Sequence, residues 1–313
     1  MSSHQHPPAA FEPPRRATEV SEDVYAYIQP DGSWWINNTG FLVGRRGVVS
    51  VDACSTERRT RAYLDTIAGI TDRPIRTLVN THHHGDHTFG NYLFPGATIV
   101  GYEGIREAIA AWGAPRDLPI WTPVDWGTIE LEPPFLTFTE AIKLYVDDLE
   151  THVQYIGTPA HTTNDSVVWV PQRRLLFSGD VIFNGGTPFL LQGSVSGMLV
   201  ALARIRELDP AVIVPGHGQV TDLSVVERLE GYVRFVQDVA RRGKEAGLSP
   251  LEAARGTDLG EYAELLDSER IVGNLHRAYA ELDGLPPGGP IDLQAAIGDM
   301  IAFNGGKPLS CYA

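Results

Sequence analysis

One short segment, residues 82–87, carries the densest group of side chains capable of chemistry: His82, His83, His84, Asp86 and His87. Along an extended backbone, His82 and His84 point to the same side and His83 points to the other. Gly85 can turn the chain and re-aim the aspartate and the histidine that follow it. Imidazole nitrogens and carboxylate oxygens suit zinc and other borderline divalent ions. Two sub-clusters of ligands this close together predict two metal ions, as in binuclear hydrolases.

Three later positions add side chains of the same kind at points where a rigid scaffold presents functional groups. Each follows a predicted strand or lies in a glycine-flanked loop: His161 in GTPAHTTND, Asp180 in LLFSGD and His217 in VIVPGHG. No motif surrounds His152 or His276, which we assign to ordinary surface or core positions. His4 and His6 lie in a polar, proline-rich N-terminal segment and are expected to be solvated.

The segments around these residues predict a strand-rich part followed by a helical part. Strands are predicted at 24–28, 34–44, 47–52, 75–80, 128–138, 141–146, 152–157, 166–171, 174–180 and 211–215, with a hairpin turn at Asp31-Gly32. Helices are predicted at 56–70 and 196–208, and the chain is helical after residue 221. We therefore expect three parts: a flexible tail over 1–17, a main domain over 18–245 and a helical C-terminal extension over 246–313.

Composition limits the class of protein further. Apolar residues make up 43% and charged residues 20% of the 313 positions, as is usual for a folded globular protein. No apolar run approaches the roughly 18 residues of a membrane span, and the N-terminal segment lacks the apolar stretch of a signal peptide. A net charge of −14 repels phosphate backbones. We expect a cytoplasmic protein that binds neither membrane nor nucleic acid.

An H-x-H-x-D-H run, then a lone histidine, an S-G-D aspartate and a P-G-H-G histidine, together resemble the metallo-β-lactamase superfamily. The resemblance covers roughly residues 20–221. It implies an α+β fold, the four-layer αββα sandwich of that family, here followed by the helical extension. It also implies two metal ions. Zinc is the expected metal, and manganese or iron would suit the same oxygen and nitrogen donors.

When the family's motif is matched to this sequence position by position, the resemblance implies three ligands for each ion and one ligand shared by both. The first ion takes His82, His84 and His161; the second takes Asp86, His87 and His217; Asp180 bridges the two. The candidate catalytic residues are Asp86 and Asp180. Asp52 in VVSVDACS matches an aspartate that braces the ligand loop. The bridging position is a cysteine in the best-known β-lactam-cleaving branch, so Asp180 argues against that activity.

Flanking segments are similar to the second-ring cyclases of aromatic polyketide pathways, of the actinorhodin type. They include SGDVIFNGGTPFLLQGSVSG and the C-terminal IAFNGGKPLSCYA, so the likeness extends into the helical extension. It implies a zinc-dependent cyclase and thioesterase that closes the second ring of a polyketide held on an acyl carrier protein. Loop 183–197 is expected to form a pocket wall. The tryptophans are assigned to core or lid packing rather than to substrate contacts: Trp34, Trp35, Trp112, Trp121 and Trp126.

Other functions stay open on the sequence alone. A metal-dependent hydrolase of a small thioester or lactone would use the same ligands. A nuclease of this fold is disfavoured by the acidic charge and by the lack of an added basic domain, and a non-catalytic metal-binding protein by the complete ligand set. Carrier proteins are acidic, so docking would need a basic patch such as Arg58-Arg59 or Arg173-Arg174. The oligomeric state also stays open.

Overall fold

Two β-sheets lie face to face between helices in the computed structural model, which describes residues 11–113 and 119–313. The first sheet has seven strands in chain order: β1 Thr18–Ser21, β2 Val24–Tyr27, β3 Thr39–Gly44, β4 Gly47–Val51, β5 Ile75–Val79, β6 Thr98–Tyr102 and β7 Leu136–Phe138. Neighbours from β1 to β4 pair antiparallel, and those from β4 to β7 pair parallel. The expectations for residues 1–10, including His4 and His6, fall outside the described ranges.

The second sheet has five strands: β8 Ala141–Val146, β9 Leu149–Tyr155, β10 Ser166–Val170, β11 Leu175–Phe177 and β13 Val212–Val214. Their spatial order is β13-β11-β10-β9-β8, and only the β11–β13 pair of this sheet is parallel. Two short strands, β12 Phe183–Asn184 and β14 His217–Gly218, form a separate parallel pair. The parallel strands matter because loops at their carboxyl ends gather at one edge of the sandwich.

Eight α-helices lie in the described residues: α1 Glu57–Ala68, α2 Gly85–Thr88, α3 Glu103–Trp112, α4 Val195–Leu208, α5 Ser224–Glu245, α6 Pro250–Arg255, α7 Arg270–Leu282 and α8 Leu293–Phe303. The N-terminus of α6 carries a capping box: the Ser249 hydroxyl accepts from the Glu252 N–H, and the Glu252 carboxylate accepts from the Ser249 N–H. None of these helices is both long and apolar enough to cross a membrane.

Alternation of side chains along the central strands explains the layers. In β3, Phe41 packs with Tyr63 of α1, whereas the next residue, Leu42, packs between the two sheets. In β10, Val168 faces the first sheet, whereas Trp169 faces the helices that follow. Three apolar cores thus separate four layers. The predicted α+β sandwich is confirmed, and α7 of the extension is buried against α4, α5 and α8.

Most predicted strands are shorter than expected, and those at 34–44 and 128–138 differ the most. Residues 34–38 form turns before β3, because the Asn38 amide donates to the carbonyls of Pro215 and Gly218 and pulls this segment toward the β14 loop. The Asp31-Gly32 step is accordingly part of a long connection rather than a tight hairpin. Of the strand predicted at 128–138, only β7 forms, since prolines in the preceding residues have no N–H to give to a sheet.

The N-terminal segment differs from the expected flexible tail where the structure describes it. Phe11 stacks on Tyr312 with ring centroids 4.7 Å apart. Arg59 Nη2 donates to the carbonyls of both residues, at 2.8 Å for Phe11 and 2.9 Å for Tyr312. These contacts hold the chain near both ends against α1. They also bury Arg59, so this arginine is not part of an exposed basic patch.

Candidate metal centre

Ends of strands and the loops between them bring the predicted ligands to one edge of the sandwich. The 82–87 run follows β5, and its last residues open the short helix α2. Asp180 lies just after β11, and His217 lies in β14, just after β13. His161 stands in the loop between β9 and β10. Gly216 is required beside His217, because a Cβ atom there would overlap Oδ1 of Asp180.

Among the described residues, seven side chains form two groups that could each hold a metal ion. The first group is His82, His84, His161 and Asp180; the second is Asp86, His87, His217 and Asp180. Within each group the ligand atoms all lie within 4.8 Å of one another. Asp180 belongs to both, with Oδ2 3.3 Å from Nε2 of His161 and 3.3 Å from Nε2 of His217. The structure therefore brings together all seven predicted ligands, in the two predicted sets.

Each histidine of the two groups is held at its other ring nitrogen by an oxygen atom outside the groups. Nδ1 of His161 is 2.6 Å from the Phe189 carbonyl, and Nδ1 of His217 is 3.1 Å from the Gly32 carbonyl. His84 meets the Gln192 side chain through Nε2. Such outer partners fix the tautomer and the ring orientation of metal-binding histidines.

Asp52 makes the corresponding contact for His87, as the sequence predicts. Its Oδ2 lies 2.8 Å from Nδ1 of His87, and its two oxygens also accept from the N–H and the hydroxyl of Thr81 at 2.7 Å. The Thr81 hydroxyl in turn lies 3.1 Å from Nδ1 of His82. One buried carboxylate therefore braces the start of the ligand run and a ligand of the second group.

The remaining unpaired atoms of the site fit a metal ion. Nε2 of His82, Nε2 of His87 and Oδ1 of Asp180 are buried and make no well-formed hydrogen bond, although the last two atoms lie 3.0 Å apart. Buried polar atoms left unpaired cost about 1–3 kcal/mol each, so they are rare unless a further group satisfies them. Mixed nitrogen and carboxylate donors are the set that zinc, manganese or iron bind. The donors present can therefore hold two cations.

Protonation at the site follows from burial and from the two carboxylates. Burial lowers the pKa of His82 and His84 well below its ordinary value, which favours the neutral, metal-binding form. Burial also opposes protonation of His217, but Asp180 and Asp86 outweigh it and raise the pKa of His217 to about 9. The surrounding histidines overcome the burial of Asp180 and hold its pKa well below the usual range. The Asp180 carboxylate is thus ionised.

A cavity of about 490 Å³ opens over the two groups, and its walls are mainly aromatic and aliphatic. Four tryptophans line it with three phenylalanines: Trp34, Trp35, Trp121, Trp126, Phe89, Phe183 and Phe189. Several of these rings pack edge to face, such as Trp35 and Trp126 with centroids 4.7 Å apart, whereas Trp35 and Phe89 stack. The packing predicted for these tryptophans is present, and the same rings also form the cavity wall. The side chain of Trp112 lies outside the described part of the structure.

The extension and the loop after Asp180 complete the cavity. Phe183 and Leu191 from loop 183–197 line it, as expected, together with Ile297 and Met300 of α8. His83 also borders the cavity but belongs to neither ligand group; its Nδ1 lies 3.2 Å from Oδ1 of Asn164.

Sequence reasoning missed Gln192 and Arg270 as members of the site. Gln192 follows the apolar run FLL in loop 183–197, and that position was the available signal. Arg270 is buried in the cavity wall, with its guanidinium 3.9 Å above the Trp34 ring. No spacing rule links either residue to the ligand run. His152 and His276 pair with Glu150 and Asp299 instead, away from the two groups.

Comparison with known proteins agrees with this geometry. A family model described as the metallo-beta-lactamase superfamily matches residues 32–217. The beta-lactamase-like protein 2 homolog of Caenorhabditis elegans is 28% identical over 170 residues, 54% of this chain and 51% of that protein. Hydroxyacylglutathione hydrolase of Rhodospirillum rubrum is 30% identical over 143 residues, 45% of this chain and 46% of that protein. The chain thus spans about half the length of these relatives.

Solved structures give the same fold. A metallo-beta-lactamase from Pontibacter korlensis superposes with a TM-score of 0.58 at 20% identity, covering 70% of this chain and 98% of that chain. The family match extends over the β5 ligand run and reaches the last predicted ligand at residue 217. The chain belongs to the metallo-beta-lactamase superfamily.

Proposed function

We propose that this chain is a zinc-dependent cyclase and thioesterase that closes the second ring of a carrier-bound aromatic polyketide and hydrolyses its thioester. One observation carries the proposal: a deep cavity walled by aromatic rings ends directly on two adjoining groups of metal-ligand side chains. A planar, partly aromatic acyl chain would bury its faces against such rings. Its ketone oxygens would then reach the polar floor of the cavity.

In this proposal His82, His84 and His161 hold one ion, Asp86, His87 and His217 hold the other, and Asp180 contacts both. When bound, the ions supply Lewis acidity, which polarises carbonyl oxygens and lowers the pKa of an adjacent water molecule or carbon acid. The apolar wall excludes bulk water from the reacting atoms, which strengthens every electrostatic interaction in the site.

Asp86 is the proposed proton acceptor. It lines the cavity, and its carboxylate keeps contact with Nε2 of His217 at 3.2 Å. The histidines overcome the effect of burial and lower its pKa, so the carboxylate is ionised and would act as a weak base. In ring closure, a carbon between two ketones would give a proton to Asp86 and bond to the carbon of another ketone of the same chain, whose C=O π bond breaks and whose oxygen takes the proton back as a hydroxyl. In hydrolysis, water adds to the thioester carbon, the carbon–sulfur bond breaks, and the carrier thiol leaves with a proton.

A second candidate function is a metal-dependent hydrolase of a small thioester. The name of one relative supports it. That protein is named a hydroxyacylglutathione hydrolase, and an acyl–glutathione bond is a thioester. The two candidates share the hydrolytic half of the chemistry and differ in the size of the acyl group. The aromatic cavity favours the larger substrate, because a small acyl group would leave most of the wall in contact with water.

The experiment compares thioesters of two sizes on the zinc-loaded, full-length protein. We expect ring closure and thiol release from an octaketide mimic, with much slower release from acetyl or hydroxyacyl thioesters. A matched variant, Ile297→Trp, fills part of the cavity from α8 without touching a ligand residue. It should slow the octaketide mimic and spare the small thioesters. Faster turnover of the small thioesters by the unmodified protein would refute the cyclase assignment.

A further inference from the structure

Two histidines of the first group, His84 and His161, contact a single short segment, residues 187–192. The carbonyl of Phe189 holds Nδ1 of His161 at 2.6 Å. The side chain of Gln192 holds Nε2 of His84. Any shift of this segment would therefore re-aim two of the three histidines of that group.

Asn274 of α7 fixes the backbone on both sides of Phe189. Its side-chain oxygen accepts from the Leu190 N–H at 2.7 Å, and its amide donates to the Pro188 carbonyl at 2.8 Å. The side chain is fully buried, so these bonds have no water to compete with them. The same amide also donates to the Tyr232 hydroxyl of α5 at 3.0 Å.

Two arginines on the same face of α7 hold the ends of the segment. Arg270 donates from Nη1 to the Thr187 carbonyl at 2.9 Å. Arg277 donates from Nε and Nη2 to the Leu191 carbonyl, at 3.0 Å and 2.7 Å. The spacing of four and three residues from Arg270 through Asn274 to Arg277 places all three side chains on one side of a helix.

The second group is held by other parts of the chain. Among the contacts of the described residues, His87 is braced by Asp52 after β4, and His217 by the Gly32 carbonyl. Neither brace involves α7. The hydrogen bonds that trace back to α7 thus reach His84 and His161 of the first group, whereas Asp52 supports His87 of the second group and, through Thr81, also His82 of the first.

We propose that α7 positions the first ligand group, with Asn274 as the positioning residue. The second ligand group is positioned by residues of the sandwich. Asn274 acts by fixing the Phe189 carbonyl, which in turn fixes the ring of His161. The inference rests on the two-metal centre proposed above. Loss of an outer-shell support typically weakens metal binding by about 10–100-fold. We expect that loss at one ion only.

The test titrates zinc into the metal-free, full-length Asn274→Ala protein in competition with a chelator. One of two zinc ions should bind at least about tenfold more weakly than in the unmodified protein, and the other should be unchanged. Reference variants His84→Ala and His217→Ala identify which site is affected, and the ion retained by Asn274→Ala should match the ion retained by His84→Ala. Tyr232→Phe is the matched control. It removes a hydrogen bond of the same asparagine on the α5 side and should keep both affinities.

Three results would overturn the inference: two unchanged zinc affinities in Asn274→Ala, an equal loss at both sites in a folded protein, or the same loss in Tyr232→Phe. If the alanine variant does not fold, Asn274→Leu replaces it, because it fills a similar volume but can neither accept from the Leu190 N–H nor donate to the Pro188 carbonyl. It is expected to show the same one-site loss. Failure of the unmodified protein to bind two zinc ions would contradict the proposed function instead, so the two failures are distinguishable.

Discussion

Both oxygens of Asp180 lie among imidazole nitrogens. Oδ1 is 3.0 Å from Nε2 of His87, and Oδ2 is 3.3 Å from Nε2 of His161. Two cations held by ligand groups that share Asp180 would repel each other, and an anion between them would offset the repulsion. Asp180→Ala should therefore lower the affinity for both ions by more than tenfold and abolish turnover. Metal analysis after dialysis, with an activity assay, measures both effects.

His83→Ala is the control for that variant. The same run supplies His83, but its ring lies in neither ligand group and contacts Asn164. It should keep two equivalents of metal. Equal metal loss in the two folded variants would mean that His83 supports the ions as strongly as Asp180 does.

Asp52→Asn tests the brace behind His87. Asparagine has the same shape and tolerates the left-handed backbone of this position, where φ is 60°. Loss of the carboxylate should lower the affinity of the second ligand group for its metal ion by about 10–100-fold, because His87 loses the anion that orients its ring. Zinc titration gives the affinity. Asp147→Asn is matched to it, since Asp147 is also left-handed, with φ of 55°, and carries an ion pair with Arg45 far from the ligands. A similar loss in both variants would refute the brace.

Much of the residue-scale picture could be predicted from the sequence. The spacing of His82, His84 and Asp86 and the strand ends before Asp180 and His217 were enough to gather one set of side chains, and the structure brings them together. Their role as ligands stays a prediction. Other supports could not be predicted. The carbonyls of Gly32 and Phe189 are backbone groups that every residue has, so only the fold shows which of them meets a histidine.

At the scale of elements, strand prediction succeeded where apolar residues alternate and failed where they face a cavity. Trp34, Trp35 and Ile36 have high strand propensity, yet the chain turns there and Trp35 adopts a φ of 66°. The rings contact each other and the cavity, and no ladder of hydrogen bonds forms around them. Local propensity could not predict this arrangement, because the partner rings come from distant parts of the sequence.

Gly193 lies where two loops come close together, and its substitution gives a prediction about the packing of these loops. A Cβ atom there would overlap the carbonyl of Ala160, the residue before His161. Gly193→Ala should therefore lower the free energy of unfolding by about 1–3 kcal/mol, since the loops must move apart. It should also lower the affinity of the first ligand group, which includes His161, for its metal ion. Thermal melting and zinc titration measure the two effects.

Gly298→Ala is the opposite case on α8. A Cβ atom there meets no neighbouring atom, and glycine is unfavourable inside a helix. This variant should raise the free energy of unfolding by up to about 1 kcal/mol and leave zinc binding unchanged. A Gly193→Ala protein as stable as the parent would show that the loops can separate without cost.

At the scale of the whole molecule, the C-terminal extension packs against helices of the main domain. Ile271 and Leu275 of α7 are buried in the same core as Leu202 of α4 and Val236 of α5. Truncation after Gly247 removes α6 to α8 and exposes this apolar surface, and it also removes part of the cavity wall. We expect a sharp fall in soluble yield and no ring closure by any soluble fraction. Gel filtration and the octaketide assay provide the measurements. A soluble truncated protein with two metal ions and normal cyclisation would contradict this role.

The metal content of the full-length protein is the most direct test of the account as a whole. Protein purified without chelator, or reconstituted with zinc and freed of excess metal, should contain close to two equivalents per chain by elemental analysis. His217→Ala should retain one equivalent, since it removes a ligand of the second group alone. Stripping the metal with a chelator should abolish thioester hydrolysis, and zinc should restore it. A chain that binds no metal, or that hydrolyses the octaketide thioester at full rate when metal-free, would contradict the two-metal centre.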